Sequence, residues 1–244
     1  MRALLVADIH ANLEALQSVV KDASAGQGFD QIWSLGDVVG YGPDPAACIG
    51  LLREHDVTAV AGNHDLAACG VITPEDFNED AAAAIWWTIS QLEFSHYTYL
   101  KELSQKLQVG QFTIIHGSAR EPFWREYVDT PEAAKARFQL LETRSCLVGH
   151  SHRPQGWSED GDDVSLIQPS ADSSVELGNG GMIINPGAVG QPRDSDPRAA
   201  YAIYDSDRMS VSFHRVTYDR PATQLKMKER GLPRYLWMRL EFGL

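Results

Sequence analysis

Five short polar blocks, each closing an apolar run, constrain this chain more than any other feature. Asp8-Ile9-His10 follows "RALLVA", Gly36-Asp37 follows "FDQIWSL", and Gly62-Asn63-His64-Asp65 follows "VTAVA". His116-Gly117 then ends "FTII", and Gly149-His150-Ser151-His152 ends "SCLV". Short apolar runs bounded by turn residues read as buried strands. Between the first three, "NLEALQSVVKDAS" and "DPAACIGLLREHD" carry helical spacing. Asp44 stands at the N-cap of the second and Pro45 at its first helical position. Open α/β sheets gather ligands at the carboxyl ends of their strands, so the five blocks are expected to share one edge.

The remaining pattern sets the architecture. From Pro74 to about Lys106 the spacing is helical, and "EDAAAAIWWTISQL" aligns Ala82, Ile85, Trp86, Ile89 and Leu92 on one face. Trp86 and Trp87 are read there as core rather than pocket wall. "PEAAKARFQLLE" predicts a further helix, residues 156–216 predict β-hairpins broken by Gly and Asn turns, and the chain from Thr223 onward reads as helical. No repeat or low-complexity linker interrupts it. Early βα units followed by hairpins predict one α/β domain over residues 1–244, built on two packed sheets.

Composition removes several function classes. A formal net charge of -12 argues against a basic face for long nucleic acid. Cys48, Cys69 and Cys146 are odd in number and lack CxxC spacing, so buried reduced thiols are expected rather than disulfides or a thiolate metal site. The N-terminus has only a short apolar run before Asp8, which fits neither a signal peptide nor an anchor. No run approaches the ~20 apolar residues of a membrane span. These features predict a soluble, cytoplasmic protein with no membrane partner.

Residues i and i+2 of an extended segment point the same way, so Asp8 with His10, and His150 with His152, are expected to share a side. A single D-x-H or H-x-H is an ordinary polar pair. Five strand-ending blocks together exceed what caps and turns require.

The ordered set "DIH", "GD", "GNHD", "HG" and "GHSH" resembles the calcineurin-like metallophosphoesterase superfamily. The blocks "GDVVGYGPDP", "HGSAREPFWREY", "GHSHRP", "INPGAVGQPRD" and the terminal "TYD…GLP" segment extend the resemblance over nearly the whole chain, toward its small bacterial and archaeal stand-alone branch. Some relatives there hydrolyse phosphodiesters and some split dinucleoside polyphosphates asymmetrically. The resemblance implies an αββα sandwich of two mixed sheets flanked by helices, with a dinuclear metal centre at one sheet edge. Asp8, His10 and His152 would hold the first ion, Asn63, His116 and His150 the second, and Asp37 would bridge both from its stiff glycine-rich turn. Such an oxygen and imidazole donor set suits Mn²⁺ first, with Fe or Zn²⁺ as alternatives. Two divalent ions can activate a bridging hydroxide for in-line displacement at phosphorus.

His64 follows the ligand Asn63 and is not itself a ligand in this pattern. It is expected either to assist departure of the leaving oxygen, with Asp65 orienting its ring, or to serve only in starting a helix. Tyr41, Arg120, Trp124 and Arg193 are candidate substrate contacts. Arg120 and Trp124 equally suit a packed surface loop, and Arg193 could instead pair with Asp194 or Asp196. The sequence therefore predicts a metal-dependent phosphoesterase acting on a small phosphate ester or nucleotide. The alternatives are an asymmetrical dinucleoside polyphosphate hydrolase, a phosphomonoesterase and, lastly, a non-catalytic scaffold, which has no need of the full ligand set. A homo-oligomer is compatible with the sequence.

Overall fold

The computed structural model describes residues 1–117 and 119–244. Two six-stranded mixed sheets stack face to face. The first runs in the order β3-β2-β1-β11-β12-β9, from β1 (Arg2–Val6), β2 (Gln31–Ser34), β3 (Val57–Ala59), β9 (Ser174–Glu176), β11 (Ala199–Asp205) and β12 (Ser210–Val216). The second runs β4-β5-β6-β10-β7-β8, from β4 (Lys106–Val109), β5 (Phe112–Ile115), β6 (Ser145–Leu147), β7 (Pro154–Asp160), β8 (Asp163–Ile167) and β10 (Gly181–Pro186). The parallel pairs β5–β6 and β6–β10 sit at the centre of the second sheet, whereas β1–β2 and β2–β3 form one edge of the first, whose remaining strands pair antiparallel. This is the expected αββα sandwich.

Period-two alternation in sequence assigns each strand's side chains to two different cores. Ala3, Leu5, Trp33, Phe112, Ile114, Leu147, Ile184 and Tyr204 interdigitate between the sheets. Leu4, Val6, Ile32 and Ile203 face the other way, against α1 (Leu13–Ala25) and α2 (Pro45–Arg53). Ile115, Cys146, Val148 and Ile183 face α6 (Pro131–Phe138) on the far side of the second sheet. The three cysteines are buried free thiols, as expected. Among the described residues no helix is long and apolar enough to cross a membrane.

Three local expectations change. The stretch read as helical to Lys106 divides into α4 (Glu79–Gln91) and α5 (Phe94–Glu102), and Lys106 begins β4, which pairs antiparallel with β5. On α4 the buried face is Ala81, Ala84, Ile85 and Thr88, and Trp86 is 51% exposed. Small alanines let this helix approach Tyr41 and the C-terminal helices α7 (Arg220–Glu229) and α8 (Arg234–Met238), which the tryptophan face would hold off. Trp87 packs partly against that same cluster. Asp44 occupies the start of α2, but its carboxylate makes no capping bond. It accepts instead from Lys226 of α7 and from Arg230 just after it, each at 2.9 Å.

Candidate metal centre and substrate cavity

All five polar blocks converge at the carboxyl ends of β1, β2, β3, β5 and β6. The means of convergence differs from the alternation expected of extended chain. Asp8, His10, Asp37, His150 and His152 have φ of 51°, 47°, 55°, 69° and 58°, the left-handed region that non-glycine residues rarely occupy. Tight turns, not strand ends, aim these side chains. Backbone bonds between the two turns hold them: His10 N donates to Asp37 O at 2.9 Å, and Asp8 N to Gly36 O at 3.1 Å. Strain concentrated on the ligand positions is what a preorganised site requires. Gly62 is needed for a different reason, because a Cβ there would collide with the Asp37 carboxylate and backbone.

The histidine rings carry a second constraint. Nδ1 of His10 lies 3.1 Å from Val39 O, Nδ1 of His116 2.7 Å from Leu35 O, and Nδ1 of His152 2.6 Å from Gln191 O. A carbonyl only accepts, so each Nδ1 carries the proton and each ring turns its Nε2 inward. Those of His10 and His152 face each other at 3.1 Å. Nε2 of His152 is 3.4 Å from Asp8 Oδ1, and Nε2 of His10 is 3.6 Å from Asp37 Oδ2. Nε2 of His116 lies 3.2 Å from Asp37 Oδ2 without the alignment of a hydrogen bond. Asn63 Oδ1 is likewise buried with no hydrogen-bond partner among the described residues. Imidazole nitrogens converging on two carboxylates, beside the unpartnered Asn63 Oδ1 and His116 Nε2, are the chemistry of a cation site. Asp8, His10 and His152 form one ligand group, and Asp37, His116 and His150 another.

Burial shapes the charges. It pushes the Asp8 carboxyl up to about 7 and pulls His150 down to about 3. It also opposes the His116 cation, but Asp37 and Asp8 push that group up to about 9. For Asp37, His116 and His64 outweigh burial and hold the carboxyl below the usual range.

The sequence profile of the calcineurin-like phosphoesterase superfamily domain matches residues 1–209. The chain belongs to this family. A metallophosphoesterase from Sphaerobacter thermophilus superposes with a TM-score of 0.90 at 43% identity, covering 100% of this chain and 99% of that one. An uncharacterized protein of Methanocaldococcus jannaschii is 32% identical over 243 residues, covering 98% of this chain and 97% of its own length. A symmetrical bis(5'-nucleosyl)-tetraphosphatase of Glaesserella parasuis is 26% identical over 132 residues, covering 51% of this chain and 47% of that protein. Family membership makes this protein a hydrolase of phosphoesters with a metal-binding site.

Around the phosphoesterase centre, a cavity of about 200 Å³ is lined by Asp37, Asn63, His64, His150 and His152, with Tyr41, Arg193 and Tyr127 among its walls. His64 is 3% exposed, its ring wedged between Tyr41, Phe77 and His10 at centroid distances of 4.4, 5.0 and 4.8 Å. Its backbone N–H donates to Asp37 Oδ1 at 2.9 Å, and burial pulls its pKa down to about 4. Asp65 does not orient that ring. Its carboxylate accepts from Val39 N and Gly62 N, both at 3.0 Å, and so fixes the turn that carries Asp37. A carboxylate three residues into a turn finds the unpaired N–H groups at the helix start before it finds a side chain.

Of the candidate substrate contacts, Tyr41 and Arg193 line the cavity, and Arg120 and Trp124 do not. Arg120 borders a separate hollow with Glu126 and Ala133, and Trp124 packs in a groove with Leu66 and Leu103. Arg193 forms no ion pair with its neighbours, since Asp194 is bound by Arg215 and Asp196 by Arg198. Its guanidinium bonds Gln191 Oε1 and lies over the Tyr41 ring at 5.8 Å. Tyr127 stacks on His150 at 4.3 Å and 11°. A second cavity of about 710 Å³ shares Tyr127 and Arg193 with the first.

Sequence reasoning missed the residues that hold the ligands. Asn185 donates to Gly149 O at 2.7 Å and accepts from Gly187 N at 2.9 Å, bracing the His150 turn. Gln191 supplies the carbonyl that fixes His152. The available signal was an Asn following an apolar strand, "MIIN", where a fully buried amide needs its bonds met.

Proposed function

We propose that the protein is a dinuclear metal-dependent phosphodiesterase acting on nucleotide-sized esters. The carrying observation is the set of three imidazoles, each tied at Nδ1 to a carbonyl and each turning Nε2 toward Asp8 or Asp37. Asp8, His10 and His152 would hold one ion and Asn63, His116 and His150 the other, with Asp37 shared. Its two oxygens already face different partners, Oδ2 toward His116 and His10 and Oδ1 toward the His64 backbone. When bound, the ions, Mn²⁺ first by donor type, supply Lewis-acid charge and an activated water.

The chain's own residues do the rest. The Arg193 guanidinium matches phosphoryl oxygens in charge and planar geometry. The His64 ring, held among three aromatic neighbours, offers an N–H to the departing oxygen. Tyr127 braces His150 by stacking and opens toward the larger cavity. That continuity supports an ester with a substituent on both sides of phosphorus, and the tetraphosphatase relative supports dinucleoside polyphosphates as a second reading.

The test is turnover of an aryl phosphodiester and the matching monoester by Mn²⁺-loaded protein, with His64→Ala as control. Diester preference that disappears in the variant is expected. No turnover of either ester by protein with verified metal content would overturn the reading.

A further inference from the structure

Helix α7 lies beyond residue 209, where the matched family profile ends, yet its Thr223 hydroxyl is wholly buried against the start of α1. Thr223 Oγ1 lies 3.1 Å from Asn12 Oδ1 and 3.0 Å from Glu14 Oε2. Glu14 is paired with Lys226, and both oxygens are acceptors, so the hydroxyl donates between them. Asn12 Oδ1 also accepts from Ala15 N at 3.2 Å and caps α1. Its Nδ2 donates in the other direction, to Gly190 O at 2.8 Å.

Capping alone does not call for an amide, since Ser, Thr or Asp would cap α1 about as well. Only an amide accepts on one side and donates on the other. What the donor side holds is the loop after β10. Val189 N donates to Ala7 O and Gly190 N to Asp8 O, both at 2.9 Å, and a Cβ on Gly190 would strike the Ile9 carbonyl. The next residue, Gln191, gives its carbonyl to His152 Nδ1 at 2.6 Å and its Oε1 to Arg193 at 3.0 Å. The space left among His10, Asn12, Gly190, Gln191 and Thr223 is about 10 Å³, the lower limit for one water, so direct bonds carry the junction.

We propose that Asn12 and Thr223 are positioning residues, which carry the docking of α7 to the His152 ring through the carbonyls of Gly190 and Gln191. The geometry stands without an ion. The consequence for metal affinity rests on the phosphoesterase reading and deepens it, since a ring whose Nδ1 partner shifts offers its Nε2 less well. The backbone bonds of Val189 and Gly190 would survive loss of Asn12, so the effect belongs at the low end of the tenfold to hundredfold range for such outer partners.

The test is the exchange of imidazole Nδ1–H protons with water, followed by NMR in metal-free protein labelled with ¹⁵N at histidine. Asn12→Thr keeps a capping hydroxyl and fills the amide's space with a methyl, leaving Gly190 O without its donor. In this variant the His152 proton is expected to exchange at least about tenfold faster, and the His116 proton, bonded to Leu35 O, within twofold of wild type. Calorimetric titration with Mn²⁺ should then show one ion weakened about tenfold and the other unchanged. Thr223→Val, which leaves the cap and the Gly190 bond in place, should move the same His152 signal about threefold, and carries the test should Asn12→Thr fail to fold. An unmoved His152 proton, or equal quickening at His152 and His116, would overturn the relay. Failure of the phosphoesterase reading appears separately, as absence of turnover by the metal-loaded wild type, and leaves the exchange measurement intact.

Discussion

The Nε2 atoms of His10 and His152 face each other at 3.1 Å, although β1 and β6, the strands they follow, belong to different sheets. Both rings are locked by Nδ1 donation to carbonyls, so neither can turn its lone pair away. A shared cation relieves this opposition. Chelation should therefore lower the unfolding midpoint, and Mn²⁺ at a hundred times its Kd should restore about 2.7 kcal/mol. Scanning calorimetry with and without Mn²⁺ checks this, and identical midpoints would remove the cation from the account.

Asp37→Asn should reduce both metal sites together, because its carboxylate borders the His10 and the His116 sides of the centre. Elemental analysis of the purified variant decides the matter. Loss of one ion with the other fully retained would contradict a shared ligand.

His64→Ala should cut turnover by about 100-fold, within the range for a positioned acid or base, while leaving metal content intact. The ring lines the cavity and is held by packing, so its removal leaves the ligand turns in place. Turnover within twofold of wild type would return His64 to a structural role.

Gly40→Ala should imitate that loss from a distance. Gly40 has φ of +91°, and a Cβ there would strike the His64 ring. A left-handed alanine costs about 1–2 kcal/mol by itself, so a lower unfolding midpoint should accompany the fall in kcat. Full turnover with a displaced midpoint would show that the ring has room to adjust.

Asp44→Ala should loosen the C-terminal helices rather than uncap α2. Its carboxylate is bonded to Lys226 and Arg230 and not to the helix start. Because those cations are about a third exposed, a loss of about 1 kcal/mol is expected. Amide exchange should quicken across residues 220–241 and stay unchanged in α2. The opposite distribution would mean that Asp44 caps after all.

The strand-end ligands were legible because each apolar run must stop where its polar residue begins, and parallel strands stop on the same edge. Their aim was not legible. The sequence pointed to extended alternation for Asp8 and His10, whereas both adopt left-handed turns fixed by bonds to the Gly36 and Asp37 carbonyls. The face of α4 was misread for a related reason. Ala81 and Ala84 look unremarkable in sequence, and only docking of Leu236 and Leu240 from the far end of the chain makes them the buried side. The sequence suggests Asp65 as a partner for the His64 ring, but local N–H groups compete for its carboxylate more strongly.

The Gln191 carbonyl that locks His152 has a consequence for biogenesis. Ligands drawn from residues 8 to 152 become a complete set only when the loop after β10 has folded back onto them. A ribosome-bound chain that has not yet released residue 191 presents His152 with its ring free to rotate. The orientation of His152 is thus set only once the chain through residue 191 is in place, well after the ligand positions themselves have been made.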